Sequence, residues 1–384
     1  MKISVVGAGT AGCFTALHFA WYLRNYPEHE VELIYNPEIP PEVVGQASLL
    51  DPPRMLWSAT SFNWYDNPIH ATFKSGILYE GWGKKKDKFF HDFPANSMAM
   101  HFCPWEMQEH ILKSGQFKVV EDDVSPYDVD STYVFDCRGT PKDLTDYNNL
   151  TSAVNACILA RPYFKTVNQH WTRSVATPDG WAFIIPTSEK SPARDGSVGY
   201  LYNDKITSKE EAQKNLLEMF DVEVTKHVTF NSYVAKNPIV DGRVFLNGNR
   251  LYFLEPMEAS STQGYLQFAR TIFNNYLSGE NHADKIKKDM LTYIKRSQDF
   301  ILWHYRHGSK YDTPFWKHAA QLAWEPDEAF DEYLEFAMSN SRNDAVPIAY
   351  GGNGKPPSKT TFSNDGYAQW STYAFKNWVD NTSN

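Results

Sequence analysis

Six residues near the start of the chain, Gly7-Ala8-Gly9-Thr10-Ala11-Gly12, carry the spacing GxGxxG, which suits the cradling of a pyrophosphate. Gly7 permits a tight turn. Gly9 lets backbone approach the phosphates with no side chain between, and Gly12 lets a helix close on the preceding strand. The phosphates then rest on free N–H groups at the helix N-terminus. The motif has this meaning only between a strand and a helix. Lys2–Val6 reads as a short buried strand, Ala11–Tyr22 carries apolar residues at helical spacing, and Val31–Tyr35 alternates as a second strand. This is the opening of a βαβ unit. Gly7, Gly9, Thr10, Ala11 and Gly12 are therefore expected to bind a dinucleotide; the alternative is a glycine turn in an α/β fold without one.

An Asp or Glu ordinarily closes the second strand and binds a ribose hydroxyl. Asn36 stands there instead, and an amide hydrogen-bonds a hydroxyl with less charge assistance. FAD is favoured over a nicotinamide by Thr132–Gly139, an apolar strand ending in Asp136-x-x-Gly139. Such strand ends lie near the dinucleotide in two-segment flavoproteins. No second GxGxxG follows. Gly351–Lys355 looks like a phosphate loop, but Pro356 replaces the Ser or Thr that would hold Mg²⁺, so it reads as a surface loop.

The elements that must position these residues form a mixed α/β pattern. Thr72–Tyr79, Thr132–Asp136, Ala182–Ile185, Val198–Tyr202 and Val244–Leu246 look extended, and Lys209–Phe220 helical. From about Ser261 the pattern turns helical, over Thr262–Tyr276, Ala283–Arg306 and Asp327–Met338; the last 35 residues, rich in Gly, Pro, Ser and Asn, read as loop. With no repeat and no linker, the expectation is an α/β body over residues 1–260, with interleaved substrate-side strands, and a helical region over 261–384.

A net charge of −9 on 384 residues argues against nucleic-acid binding. The run Lys84, Lys85, Lys86 and Lys88 reads as a solvated loop. Cys13, Cys103, Cys137 and Cys157 are scattered without metal spacing, which suggests a reduced cytoplasmic protein. No stretch of 18 apolar residues is present to span a membrane. Aromatics at 15%, with 12 Trp, suit flat ligands and large cores alike.

Several further strings, in order, resemble the flavin-dependent halogenases of the tryptophan halogenase family, from Lys2 to about Lys317. Trp181-Ala182-Phe183-Ile184-Ile185-Pro186 resembles W-x-W-x-I-P, and Glu255-Pro256-Met257-Glu258-Ala259-Ser260-Ser261 resembles E-P-L-E-S-T-G. Gly248-Asn249 matches a flavin-contacting turn. Val44-Gly45-Gln46-Ala47-Ser48 is similar to the flavin loop V-G-E-A-T. Phe73-Lys74-Ser75-Gly76-Ile77 resembles the segment with the essential lysine, and Met100-His101-Phe102 a substrate-proximal H-F step.

The resemblance implies an FAD-binding Rossmann-type fold, like that of the aromatic hydroxylases. It also implies a reaction in which reduced FAD and O₂ oxidise a halide to hypohalous acid, which travels through a tunnel to Lys74. Glu258 would stabilise the cationic ring intermediate and take its proton. Trp181, Phe183, Ile185 and Pro186 would wall the tunnel, His101 and Phe102 would meet the substrate, and Ser260 and Ser261 would hold the halide. Gly45, Gln46, Ala47, Ser48, Gly248 and Asn249 would join the fingerprint in holding FAD. Read without the resemblance, Lys74 is a solvent-facing strand lysine, Glu258 a helix N-terminal acid, Trp181 and Phe183 core aromatics, and His101 a satisfied core histidine.

Phe183 replaces a family Trp, and Ser261 a family Gly. The second change suggests a preference for bromide or iodide over chloride. The chain is shorter than typical members in its C-terminal part, which closes over tryptophan in those enzymes. A more open pocket for electron-rich aromatics other than free tryptophan is therefore expected, and the length suits a phage-encoded member. A separate flavin reductase is expected to supply FADH₂ by diffusion. Association with further copies of the chain is left open. The competing readings are an FAD-dependent aromatic monooxygenase and a non-catalytic flavin-binding protein.

Overall fold

Lys2–Val6 pairs in parallel with Glu30–Tyr35 on one side and with Tyr133–Asp136 on the other, and the helix Thr10–Leu23 connects the first two. That helix is buried on nearly every face, as expected of one that is apolar all round. Gly12 makes the fit possible, since a Cβ there would fall 1.8 Å from the Gly7 carbonyl oxygen. The sheet has six strands in the order Ile239–Val240, Val244–Leu246, Tyr133–Asp136, Lys2–Val6, Glu30–Tyr35, Lys118–Glu121. All pair in parallel except the outermost, Ile239–Val240. The computed structural model describes residues 1–93, 99–166, 169–274, 283–339 and 372–383.

A second sheet of seven strands runs Val222–Thr229, Ala156–Pro162, Val198–Tyr202, Gly180–Ile184, Thr172–Thr177, Gly76–Glu80, Lys88–Asp92. Both of its faces are covered, so side chains alternate between two cores. Trp181, Phe183 and Leu201 enter the main core, while Ala182, Ile184 and Tyr200 enter a smaller one that includes Ala212 and Leu216 of the helix Lys209–Met219.

The single strand expected over Thr72–Tyr79 is two strands in two sheets. Thr72–Lys74 pairs with Ala99–Phe102, which also pairs with Gln46–Ala47, whereas Gly76–Glu80 joins the seven-stranded sheet. Ser75 is the switch: its N–H donates to the His170 carbonyl (2.6 Å) and its own carbonyl accepts from Phe93 N–H (2.8 Å). Gly76 follows because a Cβ there would lie 2.2 Å from the His91 carbonyl oxygen.

The helices Lys209–Met219, Ser261–Ile272, Ala283–Arg306 and Glu328–Ser339 fall where periodicity places them. The loop reading of the last 35 residues needs correction, because Thr372–Thr382 is a helix. Its buried Phe375 and Trp378 are three apart and pack on Trp303 and Tyr79. Loop-like composition masked that short apolar face. The Gly351–Lys355 loop lies outside the described residues. All four cysteines are free and buried, and Lys84, Lys85 and Lys86 are exposed. Among the described residues no helix is long and apolar enough to cross a membrane.

Candidate active site

The glycine fingerprint is held by close contacts that leave one face open. Gly7 has φ +106°, and a Cβ there would meet the Cys137 carbonyl oxygen at 2.6 Å. Gly9 caps the helix Thr10–Leu23, and nothing lies within 4 Å of where its Cβ would be. No side chain caps that helix and no acid stands in its first turn, so its first N–H groups face an uncluttered space. Ala11 packs directly under Gly248, whose φ is +65° and whose Cβ would fall 2.4 Å from that of Ala11. Asn247, which sequence reasoning passed over, fixes this turn. Its amide donates to Thr15 Oγ1 and the Tyr265 carbonyl (both 3.0 Å), and its oxygen accepts from Gly248 N–H (2.8 Å). Asn249 Oδ1 accepts from the Tyr265 hydroxyl (3.0 Å).

Two strand-end residues are more occupied than the sequence suggested. Asn36 Oδ1 accepts from Glu38 N–H (2.8 Å), which leaves its amide nitrogen as the group able to meet a ribose. Asp136 is fully buried between two guanidiniums, with Arg138 at 2.9 Å and Arg250 at 3.0 Å. It is thus not a free acid, and what it can offer a cofactor is the placement of those arginines. Gly139 beyond it has φ +81° and open space around its Cβ position.

A short stretch connects this end to the lysine. Thr10 Oγ1 donates to Gln46 Oε1 (3.2 Å), and two residues on, the Ser48 carbonyl accepts from Lys74 Nζ (3.3 Å). Between them is the edge strand Gln46–Ala47, paired with His101 and Phe102. A Cβ at Gly45 would lie 3.4 Å from Thr187 Cγ2. Ser48 is itself buried and pinned by exchange with Met100: Ser48 N–H donates to its carbonyl and Ser48 Oγ accepts its N–H.

Lys74 has no solvent exposure. Its ammonium lies 5.2 Å over the Phe93 ring, and no carboxylate is within 4 Å of it among the described residues. Burial pulls the amine from 10.5 down to about 8, partly opposed by the charge of Glu258. Glu258 is also buried. Its Oε1 accepts from the Tyr79 hydroxyl (2.5 Å) and lies 2.9 Å from His304 Nε2, while Oε2 has no partner among the described residues. His304 Nδ1 is 2.7 Å from the Phe300 carbonyl, so it carries a proton there. Burial, with Glu258 adding, drives the Tyr79 hydroxyl well above its usual value. His91, fully buried nearby, is pushed to about 3 by burial, with His304 and Lys74 adding to the effect.

His101 is buried with both ring nitrogens engaged, Nδ1 with Thr72 (3.1 Å) and Nε2 with Thr172 (2.9 Å). Thr72 donates its hydroxyl proton to the Pro186 carbonyl (3.0 Å), so it accepts from His101, whose proton is on Nδ1. Phe102 and Ile185 are buried. Trp181 and Phe183 stand edge to face at 6.3 Å. Phe183 fits because position 199 is glycine, where a Cβ would fall 2.2 Å from its ring. Ser260 and Ser261 begin the helix Ser261–Ile272 with no side-chain cap, just after Ala259 at φ +52°.

The family model described as Tryptophan halogenase matches residues 2–136 and 140–368. The chain belongs to the tryptophan halogenase family. Among curated members, tryptophan 7-halogenase KtzQ of Kutzneria sp. (strain 744) is 28% identical over 174 residues, 43% of this chain and 31% of its own length. Tryptophan 7-halogenase RebH of Lentzea aerocolonigenes is 24% identical over 197 residues, 47% of this chain and 35% of its own. These matches span about a third of the relatives' length. Solved halogenase folds agree over more. MibH, a lanthipeptide tryptophan 5-halogenase, aligns with TM-score 0.77 at 17% identity, covering 99% of this chain and 85% of that one. BrvH, a flavin-dependent halogenase from Brevundimonas sp. BAL3, aligns at 0.71 and 16%, covering 98% and 89%.

In this tryptophan halogenase chain the fold brings Lys74 within electrostatic reach of Glu258 and joins the Gln46–Ser48 stretch to the fingerprint. Sequence reading missed two neighbours of Glu258, Tyr79 and His304, and the Trp378 ring 4.4 Å from His304. The string Trp303-His304-Tyr305 also resembles the family and is the one signal for the histidine, with no role attached.

Proposed function

We propose that the chain is a flavin-dependent halogenase that transfers halogen from hypohalous acid to an electron-rich aromatic ring through Lys74. The observation that carries this reading is a fully buried amine whose sole hydrogen-bond partner among the described residues is one backbone carbonyl, close enough to buried Glu258 to feel its charge. Burying a lysine without an ion pair is costly, and a structural role would not require it.

The residues at the nucleotide end fit FAD. The open face at Gly9, the uncapped first turn and the lack of an acid there suit a pyrophosphate. Gly7, Gly9, Thr10, Ala11, Gly12, Gly248 and Asn249 would hold it, with Asn36 toward the ribose and Gly45–Ser48 beside the ring. Reduced flavin, with O₂, supplies the oxidation of a halide to hypohalous acid.

The chain's own residues do the rest. Near pH 8 Lys74 is present in comparable amounts as ammonium and amine. The ammonium donates a hydrogen bond to the hypohalous oxygen, and the amine can take the halogen itself. The ring carbon gains halogen as the oxygen leaves in water, and Glu258 Oε2, free of partners, accepts the displaced ring proton. Tyr79 orients that carboxylate by donating to its other oxygen, beside which His304 Nε2 lies. Trp181 and Phe183 keep the ring away from the flavin. The N–H groups at Ser260 and Ser261 hold the halide, and the Ser261 side chain, where glycine is usual, favours bromide or iodide. A diffusing reductase supplies FADH₂, and the substrate is a phenol or indole other than free tryptophan.

The test supplies a flavin reductase, NADH, FAD, O₂ and bromide with a panel of phenols and indoles, read by mass spectrometry. Bromine isotope doublets are expected. Oxygen addition alone would make the chain a hydroxylase, and no turnover would leave a flavin-binding protein. Lys74→Ala should keep flavin oxidation and lose halogenation. Competition among the three halides checks the preference, and a clear choice of chloride would remove it.

A further inference from the structure

His304 is fully buried, and both of its ring nitrogens lie beside oxygens. Nδ1 is 2.7 Å from the Phe300 carbonyl, one turn back in the helix Ala283–Arg306. A carbonyl can only accept, so the helix itself fixes a proton on Nδ1. Nε2 lies 2.9 Å from Glu258 Oε1, and in the neutral ring it presents a lone pair there. Charge balance favours the neutral ring. Lys74 and Glu258 are both buried and already offset each other, and a second buried cation would stand unmatched. Two acceptors thus meet at hydrogen-bond distance, and a proton arriving on Glu258 would join them.

The proposed halogenation delivers such a proton at every turnover. The ring C–H bond breaks, its electron pair returns to the ring, and the proton stays on Glu258, which accepts no other until it is cleared. Tyr79 cannot take it, because its hydroxyl already carries a proton and donates it to Oε1. His91 is a poor base, pushed to about 3 by burial, with the charges of His304 and Lys74 adding. Lys74 acts on Glu258 through its field and forms no ion pair with it among the described residues. That leaves His304, the one ring nitrogen at hydrogen-bond distance from the carboxylate among the described residues.

We propose that His304 receives the ring proton from Glu258 and so readies the carboxylate for the next turnover, which rests on the halogenase reading. The carboxyl makes a half-turn that brings its proton beside Nε2. The O–H bond breaks, an N–H bond forms at Nε2, and Glu258 is again a carboxylate beside an imidazolium. On the ammonium route Lys74 gives one proton to the oxygen that leaves as water, so a cation at His304 replaces a cation at Lys74 and the buried charge is unchanged. As product departs, His304 releases its proton to solvent and Lys74 regains one. His304 touches no substrate atom and acts only through Glu258, as a residue that positions the proton.

The test compares one turnover with many. The full chain is loaded with one equivalent of reduced FAD, mixed with O₂, bromide and an indole that the unaltered protein brominates, and quenched at intervals. The same mixture with a flavin reductase and NADH gives the steady state. His304→Gln cannot carry the extra proton. Its single-turnover rate should stay that of the unaltered protein, because Glu258 starts as a carboxylate. Its steady-state rate should fall by about a hundredfold, the low end of what a positioned proton transfer contributes. Equal losses in both would make His304 a packing residue, and no loss in either would make it idle; each result overturns the proposal. Neutron diffraction from crystals of the unaltered protein reads the premise directly, whether or not the variant folds. A proton is expected on Nδ1 and none on Nε2, and an imidazolium or the opposite tautomer at rest overturns the proposal. Absence of brominated product from the unaltered protein sinks the halogenase reading, whereas brominated product with equal losses in His304→Gln sinks this inference alone.

Discussion

Lys74 is a residue whose placement works against the stability of the fold. Its amine is displaced from 10.5 to about 8 by burial, which corresponds to about 3 kcal/mol between folded and unfolded chains. The folded state binds that proton less well, so the cost is full below pH 8, shrinks as pH rises from 8 to 10.5, and is gone above. Lys74→Met should therefore raise the urea midpoint at pH 7 by the equivalent of about 2–3 kcal/mol, a figure that already counts the attraction lost between Lys74 and Glu258. The gain should vanish near pH 10.5, and halogenation should be absent at every pH. Equal or lower stability at pH 7 would mean that Lys74 is better solvated than its burial implies. Ala259 is a second strained position, at φ +52° immediately after Glu258. A left-handed L-residue costs about 1–2 kcal/mol and glycine loses about 0.5–1 kcal/mol more chain entropy. Ala259→Gly should thus stabilise by about 0.5–1 kcal/mol in thermal melts.

At the scale of elements, the seven-stranded sheet places the Phe183 ring by matching a large residue with a small one on neighbouring strands. Phe183 faces Gly199 directly across the Gly180–Ile184 and Val198–Tyr202 pair, and a Cβ at 199 would lie 2.2 Å from its ring. Gly199→Ala should cost about 1–3 kcal/mol through overpacking, and Phe183→Leu in the same chain should recover most of it. A double-mutant cycle of unfolding free energies checks this, and additive losses would place the strain elsewhere. Short strings made this much of the site legible, because the fingerprint, Trp181–Pro186 and Glu255–Ser261 each lie within one turn or strand. What was not legible depends on where strands change sheet. The alternation from Thr72 to Tyr79 continues smoothly through Ser75, yet the partners change there from Ala99–Phe102 to Lys88–Asp92. That break puts Lys74 and Tyr79 on different sheets beside one carboxylate. Tyr79 meets Glu258 across 179 residues of chain, a separation no local pattern encodes.

Across the whole molecule, the far end of the chain returns to the site. Trp378, in the helix Thr372–Thr382, is buried against Tyr79 (4.9 Å), Trp82 (5.8 Å), Phe89 (5.4 Å) and His304 (4.4 Å). Gly83 lets this helix dock, since a Cβ there would meet Thr382 at 2.5 Å. Both residues that flank Glu258 Oε1 are therefore backed by one indole. Trp378→Ala should cost about 3–5 kcal/mol of stability, as for other buried large-to-small changes. Its functional effect should differ from that of Lys74→Ala. On the route proposed above, oxidant would still arrive with Lys74 present, but Tyr79 and His304 lose their backing beside Glu258. Ring deprotonation then becomes slow, so a substrate deuterated at the reacting carbon should show a kinetic isotope effect on kcat that the unaltered enzyme lacks. Phe at 378 should restore most of the stability and reduce that effect. If Trp378→Ala lost stability with no isotope effect while turnover remained measurable, the helix would be a structural clamp with no influence on the carboxylate.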